Sequence, residues 1–310
     1  MQKTESITKS SAPDMPRKLL FIVNPNAGKK ISGQLIDTIR KEFPQNIYYQ
    51  IVVWKDKDHF QEVLDIMHSR DYTDVIAVGG DGTVNQVAKS IIGTNIALGI
   101  VPAGSGNGLA RTLGLSMKIE EVIKQIAEGT YAQIDYGTVN QIPFFCTSGI
   151  GFDAHIGNLF ASSKKRGLQS YVKITVRELL KYRSKNYTIQ LNGETLKRKA
   201  YLITVANAGQ YGNDFYIAPQ AKLNDGKFHV VILKPFNFFS AIGVFINVIR
   251  GKANESSKIE TYLADKLVIS REEEGPIHYD GEPAMHGKNI DFVCHHSKLK
   301  VIVGKKIKAL

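Results

Sequence analysis

The stretch Val-Gly-Gly-Asp-Gly-Thr at residues 78–83 lies between an apolar run, residues 75–78, and a segment in which apolar residues recur at helical spacing. A strand that ends at two glycines and continues as a helix brings backbone N–H groups and a helix N-terminus to one point, and that point favours phosphate. Asp81 adds a carboxylate, which would repel phosphate unless a cation lies between them. The stretch therefore predicts a strand-turn-helix unit that binds a nucleotide together with Mg²⁺.

Two other loops have a similar composition and also follow an apolar run. Asn-Pro-Asn-Ala-Gly-Lys occupies residues 24–29, and Pro-Ala-Gly-Ser-Gly-Asn-Gly occupies residues 102–108. In a parallel sheet such loops meet outside the carboxyl ends of the strands, where open α/β sheets bind ligands. A tight turn explains one glycine-rich loop, but three of them with an acidic residue predict a binding site. The first loop is not a Walker A motif, because Lys30 stands where that motif has Ser or Thr.

The pattern of apolar residues predicts two domains. Strands and helices alternate up to about residue 140, which predicts a three-layer parallel α/β domain over residues 17–140 that binds the nucleotide. Strands predominate afterwards, so residues 141–304 are expected to form an antiparallel β-sandwich domain for the substrate. Residues 1–16 are polar and predict a disordered tail. The extreme C-terminus could pack back on the first domain.

Within the second domain the sequence predicts particular elements. Asn192-Gly193 is a strong signal for a two-residue hairpin. Helices are expected over residues 168–182 and 236–250, where apolar residues recur at helical spacing. Strands are expected over residues 144–148, 187–191, 202–207, 228–233, 266–270, 277–279, 289–294 and 299–303.

The three loops resemble those of the diacylglycerol kinase catalytic-domain superfamily, which includes bacterial lipid kinases and sphingosine kinases. The likeness continues through residues 149–154 (Gly-Ile-Gly-Phe-Asp-Ala), 224–226 (Asn-Asp-Gly) and 280–283 (Asp-Gly-Glu-Pro). Gly-Gly-Asp-Gly-Thr alone is shared with NAD kinases and phosphofructokinases, but the full series in this order is highly specific. The resemblance implies a first domain like that of those two enzymes. It also implies that the γ-phosphoryl group of ATP is transferred to a lipid hydroxyl with Mg²⁺.

The resemblance also implies roles for individual residues. Asp81 is expected to hold Mg²⁺, and Glu282 is the expected proton acceptor with Asp280 beside it. Because residues i and i+2 of an extended segment point the same way, both carboxylates could face one substrate hydroxyl. The residues expected to contact ATP are Asn24, Pro25, Gly28, Val53, Gly79, Gly80, Asp81, Gly82, Thr83, Asn85, Gly104, Ser105 and Asn107.

Two further sites follow from the resemblance. A structural Mg²⁺ would use the Asp225 carboxylate and the backbone carbonyls of Lys222 and Lys227, which are oxygen ligands suited to a hard cation. Asp153 could contact the lipid substrate, where its carboxylate would bind the ammonium group of a sphingoid base. Asp153 could equally well only tether its own loop. Diacylglycerol-like lipids and sphingoid bases therefore both remain as acceptors.

The charge of the chain bears on its partners. Its 40 basic and 29 acidic residues give a net charge of +11, which suits nucleic acid or an anionic membrane. No nucleic-acid-binding motif is present, so a membrane-bound lipid is the expected partner and nucleic acid is not. The membrane could contact the apolar helix over residues 236–249 or the basic region over residues 164–185. Alternatively, the apolar residues of the helix pack on its own domain, and the basic region is a solvated helix face. A homodimer is compatible with the sequence.

The sequence also indicates a cellular location. Two cysteines, Cys146 and Cys294, give no disulfide framework, and the N-terminus has no apolar segment typical of a signal peptide. We therefore expect a cytoplasmic protein that is peripheral to the membrane.

Two alternative functions remain. One is NAD kinase, although residues 94–96 (Thr-Asn-Ile) do not supply the Asn-Glu pair that should follow the glycine-rich loop of such an enzyme. The other is a catalytically silent regulator that binds nucleotide or lipid on the same fold.

Overall fold

The computed structural model describes most of the chain, namely residues 16–25, 32–54, 57–163, 168–179, 181–213, 215–305, 307 and 310. The predicted tail, except for its last residue, lies outside the described residues, as do Gly28 and the basic residues 164–166. The chain divides into two compact units. Unit 1 comprises the residues up to Gly104, Leu113–Ile134 and Leu299–Lys308, and unit 2 comprises Ser105–Thr112, Asp135–Lys298 and Ala309–Leu310.

Strands and helices alternate in the first part of the chain. In order they are β1 (Lys18–Val23), α1 (Ser32–Glu42), β2 (Tyr48–Val53), α2 (Lys57–Ser69), β3 (Asp74–Gly79), α3 (Asp81–Ser90), β4 (Ala97–Pro102), α4 (Gly108–Thr112), α5 (Ile119–Glu128) and β5 (Tyr131–Val139).

Strands predominate in the second part. They and the helices between them are β6 (Ile142–Phe144), β7 (Thr147–Gly151), α6 (Phe152–Ala161), α7 (Leu168–Leu179), β8 (Lys185–Leu191), β9 (Glu194–Ala200), β10 (Leu202–Ala206), β11 (Phe228–Leu233), α8 (Phe238–Ile249), β12 (Ile259–Ala264), β13 (Lys266–Arg271), β14 (Gly275–Tyr279), β15 (Glu282–His286) and β16 (Asn289–Ile302). A short 3₁₀ turn, Ala253–Glu255, precedes β12.

Unit 1 contains a parallel sheet in the order β2-β1-β3-β4. Strands β3 and β4 are buried along their whole length, as expected for parallel strands covered by helices on both faces. The last residues of β16 extend this sheet, since Val301 pairs in parallel with Leu98 of β4. The predicted parallel α/β fold of the N-terminal part is confirmed.

Unit 2 is built from antiparallel strands. One sheet has the order β12-β11-β10-β7-β14-β15, and in the other β13 pairs with β8 and with the first residues of β16. Side chains of both sheets meet in one core, where Ile150 and Val205 of the first sheet pack with Ile189, Ile269 and Phe292 of the second. This antiparallel architecture agrees with the sequence prediction, and Asn192-Gly193 forms the expected hairpin turn between β8 and β9.

Three of the predicted strands differ from the structure. The strand expected over residues 144–148 is instead the end of β6 and the start of β7, with Phe145 and Cys146 between them. The two strands expected over residues 289–294 and 299–303 are the single strand β16, in which Ser297 has a left-handed backbone with φ of 51°. Helix α6 and strands β5, β12 and β15 were not predicted.

Candidate functional site

The turn between β3 and α3 begins the candidate nucleotide site in unit 1. Gly80 has an extended backbone, with φ of −90° and ψ of −174°, and no side chain caps α3 there. The N–H of Val84 donates to the carbonyl of Gly80 at 3.0 Å, so helical hydrogen bonding begins at Gly80. A helix N-terminus without a side-chain cap presents its first N–H groups to an anion such as phosphate. Asp81, which is half-buried, lies in the first turn of this helix.

Asn24, at the start of the first loop, and residues of the other two loops meet at this turn. The Asn24 Nδ2 donates to Thr83 Oγ1 at 2.9 Å, and the backbone N–H of Ala103 donates to the carbonyl of Gly79 at 2.9 Å. A Cβ on Gly80 would lie 3.2 Å from the Cα of Gly104, which is closer than most real Cβ contacts. The start of the first loop and the loops after β3 and β4 therefore lie together at the carboxyl edge of the parallel sheet, as the sequence predicts.

For the other residues of unit 1 that are expected to contact ATP, the structure gives their burial and their place in the fold. Val53 is the half-buried last residue of β2 and pairs with Val23, and Pro25 is half-buried in the turn after β1. Gly82 is exposed, whereas Asn85 is buried within α3. Gly28 lies outside the described residues, so its place in the loop stays a prediction.

The last two residues expected to contact ATP, Ser105 and Asn107, belong to unit 2. Ser105 is exposed, and Asn107 is buried with a left-handed backbone, φ of 53°. The neighbouring Gly106 accepts hydrogen bonds from Arg111 Nε at 3.2 Å and from the backbone N–H of Asn213 at 3.4 Å. These contacts hold the start of α4 against the segment that follows β10.

The Asp-Gly-Glu motif forms a tight hairpin turn between β14 and β15. Asp280 and Gly281 have φ of 49° and 84°, the left-handed pair of a type I′ turn. The expectation that Asp280 and Glu282 lie on one extended segment and point the same way is therefore wrong. The left-handed turn places Asp280 at its tip and Glu282 at the start of β15, opposite Tyr279.

The two carboxylates of this turn have different surroundings. The Asp280 carboxylate accepts three backbone N–H bonds, from Phe145 and Cys146 at 2.8 Å and from Thr147 at 3.1 Å. Glu282 is half-buried, and among the described residues its carboxylate takes part in no hydrogen bond or ion pair. Asp280 therefore holds the backbone between β6 and β7, while Glu282 has a carboxylate that can accept a proton.

Asp153, in the first turn of α6, lies at the centre of a group that we call the Asp153 cluster: Asp153, Thr204, Tyr211 and His278. Its Oδ2 accepts hydrogen bonds from Thr204 Oγ1 and Tyr211 OH, both at 3.1 Å, and lies 2.9 Å from His278 Nε2. Its Oδ1 accepts the N–H of Ala154 at 2.8 Å. The carboxylate is thus largely satisfied within unit 2.

The members of this cluster other than Asp153 were not predicted from the sequence. Thr204, Tyr211 and His278 come from three separate segments, so no local spacing indicates their contact. The sequence offers one signal for this cluster: His278 lies inside an apolar strand, and a buried histidine needs a hydrogen-bond partner. His278 is 3% exposed, and its Nδ1 has no partner within the part of the chain that the structure describes.

The loop proposed to bind a structural Mg²⁺ is tied to the buried residue Asp135. Asp135 accepts hydrogen bonds from the N–H of Gly226 and of Ser297, both at 2.7 Å, and contacts His296 Nδ1 at 2.9 Å. Asp225 is exposed, and its Oδ1 accepts the N–H of Lys227 at 3.0 Å.

The donors of both candidate metal sites fit Mg²⁺ chemically. Asp225 and the carbonyls of Lys222 and Lys227 are oxygen donors, as is Asp81 beside a helix N-terminus. Mg²⁺ prefers oxygen ligands and usually keeps several waters, so it is often bound through one or two carboxylates together with other oxygen donors. Among the described residues no group of three or more His, Cys, Asp or Glu side chains is close enough to bind a metal.

Comparison with known families shows what kind of protein this is. Residues 18–139 match the model of the diacylglycerol kinase catalytic domain, and residues 147–302 match that of the YegS C-terminal NAD kinase beta sandwich-like domain. The chain belongs to the family of diacylglycerol kinases and YegS-like proteins that these two models describe. The first match covers the part of the chain in which strands and helices alternate, and the second covers the part in which strands predominate.

Individual relatives agree with the family. The diacylglycerol kinase of Bacillus subtilis is 26% identical over 277 residues, which cover 86% of this chain and 90% of that one. The crystal structure of a diacylglycerol kinase from Bacillus anthracis matches with a TM-score of 0.71 at 20% identity, over 94% of this chain and 98% of that one. An NAD kinase from Archaeoglobus fulgidus in complex with ATP matches with a TM-score of 0.55 at 11% identity, over 94% and 95%. Both structural likenesses show the fold alone.

Proposed function

We propose that this chain is an ATP- and Mg²⁺-dependent kinase that phosphorylates the hydroxyl group of a diacylglycerol-like lipid. The observation that carries the proposal is the meeting of Asn24, which begins the first loop, with the loops after β3 and β4 at the N-terminus of α3, with Asp81 in its first turn. That arrangement supplies N–H groups for phosphate and a carboxylate for a cation in one place. The family relationship supports a lipid as the acceptor.

The proposed reaction assigns one task to each group. The acceptor oxygen bonds to the γ-phosphorus of ATP, and the bond from that phosphorus to the bridging oxygen breaks, which releases ADP. Glu282 takes the proton of the attacking hydroxyl, and Asp280 positions the hairpin that carries Glu282. The loops of unit 1 orient the phosphates, and Asp81 would hold Mg²⁺, which neutralises phosphate charge when bound.

The state of Asp153 favours a neutral lipid over a sphingoid base. An ammonium group would have to compete with the three side chains that already contact Asp153 Oδ2. A neutral glycerol hydroxyl needs no carboxylate of its own. We therefore place diacylglycerol-like lipids before sphingoid bases as acceptors.

A labelled-phosphate assay tests the proposal. The protein is incubated with Mg²⁺ and ATP labelled in the γ-position, with diacylglycerol, a sphingoid base or NAD as the acceptor. We expect label on diacylglycerol. Label on NAD alone would establish the NAD kinase alternative, and ATP binding without transfer to any acceptor would establish a silent regulator.

The same assay with Asp153→Asn separates the two lipid acceptors. If Asp153 serves the fold, the substitution lowers transfer to diacylglycerol and to any sphingoid base by the same factor. A selective loss on the sphingoid base would instead show that the carboxylate binds its ammonium group. The matched control is Asp291→Asn, which changes an exposed carboxylate of the same unit.

A further inference from the structure

Helix α8 has an apolar stripe on its exposed face. Ile242, Phe245, Ile246 and Ile249 are 49, 54, 41 and 50% exposed. Their spacing of i, i+3, i+4 and i+7 places them on one side of the helix. We call these four residues the α8 stripe.

The other side of α8 is also apolar. Val248 is 3% exposed, and Val244 packs against the same apolar cluster of unit 2. The inner side of this helix therefore makes the predicted packing on its own domain, and the α8 stripe stays exposed to solvent. A helix that is apolar on both sides is typical of apolar surroundings on both sides. The stripe thus needs a partner that is apolar where it contacts the helix.

The charges around the stripe indicate the chemistry of that partner. From residue 236 to residue 254 the chain has Arg250 and Lys252 but no acidic residue. Lys252 pairs with Glu255, whereas Arg250 is exposed immediately after the stripe. Arg250 therefore adds an exposed positive charge at the end of the stripe.

Helix α7 has the same combination on its exposed face. Val172 and Val176 are 50 and 65% exposed, and the exposed Lys173 and Arg177 follow them directly, although Arg177 pairs with Glu178 at 3.0 Å. Ile174 of α7 packs against the same apolar cluster as the inner side of α8. Apolar residues next to basic residues are typical of surfaces that enter the boundary between headgroups and acyl chains of anionic lipids.

We propose that the α8 stripe docks this protein on the surface of a bilayer that contains anionic lipid. The helix has 12 residues, fewer than the roughly 20 needed to cross a bilayer. No helix within the described residues is long and apolar enough to cross. Helix α8 therefore lies along the membrane surface. The net charge of +11 attracts an anionic bilayer and opposes contact with a second copy of the chain.

This inference rests on the proposed function, because a lipid acceptor is what requires contact with a bilayer. It goes beyond that function by assigning the docking surface. Binding to vesicles needs neither ATP nor phosphate transfer, so the two proposals can fail separately.

The test compares wild type with the triple variant Ile242→Gln, Ile246→Gln, Ile249→Gln. Glutamine is close to these residues in size and forms helices well, so α8 is retained. Leu263→Gln is the matched control, because Leu263 of β12 is an aliphatic residue of the same unit and is 44% exposed. Sedimentation with vesicles of phosphatidylcholine and phosphatidylglycerol measures binding, and circular dichroism checks folding. The single variant Ile246→Gln serves if the triple variant does not fold.

We expect the triple variant to bind these vesicles at least about tenfold more weakly, since binding scales with the apolar area inserted, and the control to bind like wild type. Transfer of phosphate to a water-soluble short-chain diacylglycerol should be unchanged in the triple variant. Unchanged vesicle binding by the triple variant, or no binding by wild type, would overturn the proposal. A wild-type dimer that the substitutions convert to a monomer, with vesicle binding unchanged, would assign the stripe to a second copy instead. Absence of transfer by wild type to any acceptor would overturn the proposed function and leave the vesicle result standing.

Discussion

The carboxylates of Asp280 and Glu282 lie two residues apart in the chain but differ in their contacts. Three backbone N–H groups bond to the Asp280 carboxylate, whereas the Glu282 carboxylate takes part in no hydrogen bond or ion pair among the described residues. A carboxylate that accepts several N–H bonds stabilises a fold. One without them is able to accept a proton from a substrate. The sequence indicated both residues, but only the structure separates their roles.

The substitution Glu282→Gln tests the role of Glu282 as the general base. We expect phosphate transfer to fall by about 10²–10⁴-fold, the usual contribution of a general base. The affinity for ATP and the unfolding temperature should stay near those of wild type. Titration calorimetry and the labelled-phosphate assay measure the two quantities, and activity within a few-fold of wild type would reject Glu282 as the base.

The substitution Asp280→Asn should act on stability first. It replaces one carboxylate oxygen by an NH₂ group, which cannot accept from the backbone, and we expect a loss of about 1–3 kcal/mol in the free energy of unfolding. Urea denaturation measures that loss. A variant as stable as wild type would show that the three N–H bonds do not hold the segment between β6 and β7.

At the level of elements, the sequence predicted what local patterns determine. The buried apolar run Val75–Val78 predicted a strand close to β3. The apolar residues at helical spacing over 119–128 predicted a helix close to α5. The strand predicted over residues 144–148 failed because the N–H groups of Phe145 and Cys146 bond to Asp280, far along the chain. The candidate nucleotide loops could be predicted because their composition and their place after apolar runs are local patterns. The Asp153 cluster depends on contacts between distant segments, which no local pattern reveals.

The break predicted within β16 has a comparable cause. Residues 295–298 are polar and resemble a loop, so two strands were expected. Ser297 instead adopts a left-handed backbone, and its N–H donates to the buried Asp135. The strand therefore continues through a single irregular residue, which only a distant carboxylate could stabilise.

The close approach of two loops gives a prediction for Gly80. Its φ of −90° suits any residue, so Gly80→Ala causes no backbone strain, but the new Cβ would lie 3.2 Å from Gly104. Crowding of this kind costs about 1 kcal/mol or more. We expect ATP affinity to fall roughly fivefold or more as the loops move apart. Gly33→Ala is the matched control, because nothing lies within 4 Å of its Cβ position. Titration calorimetry measures the ATP affinity of both variants. An equal loss of affinity in both would contradict this role of Gly80.

At the scale of the whole molecule, buried histidines should make stability depend on pH. Burial lowers the pKa of His229, His286 and His295 below the ordinary value of 6.5. Each therefore binds a proton more readily when the chain is unfolded. Their contribution to stability is present above about pH 6.5 and is lost as the pH falls from there towards the folded-state values.

Urea unfolding at pH 7.5, 6.5 and 5.5 measures this effect. We expect the free energy of unfolding to fall with acidification, and His229→Gln to reduce the slope. His68→Gln is the control, since His68 is exposed on α2 and should leave the slope as in wild type. An equal slope in wild type and in the His229 variant would show that His229 does not contribute.

The pairing of Val301 with Leu98 has a consequence for the order in which the protein is completed on the ribosome. Unit 1 also uses the N–H of Val303, which donates to Thr130, and the N–H of Gly304, which donates to Leu113. These residues are translated only after the whole of residues 135–298. The unit whose synthesis starts first is therefore among the last to be finished, contrary to the usual N-terminal-first order. Until then the outer edge of β4 stays open, so nascent chains released before residue 299 would expose an apolar strand edge prone to aggregation.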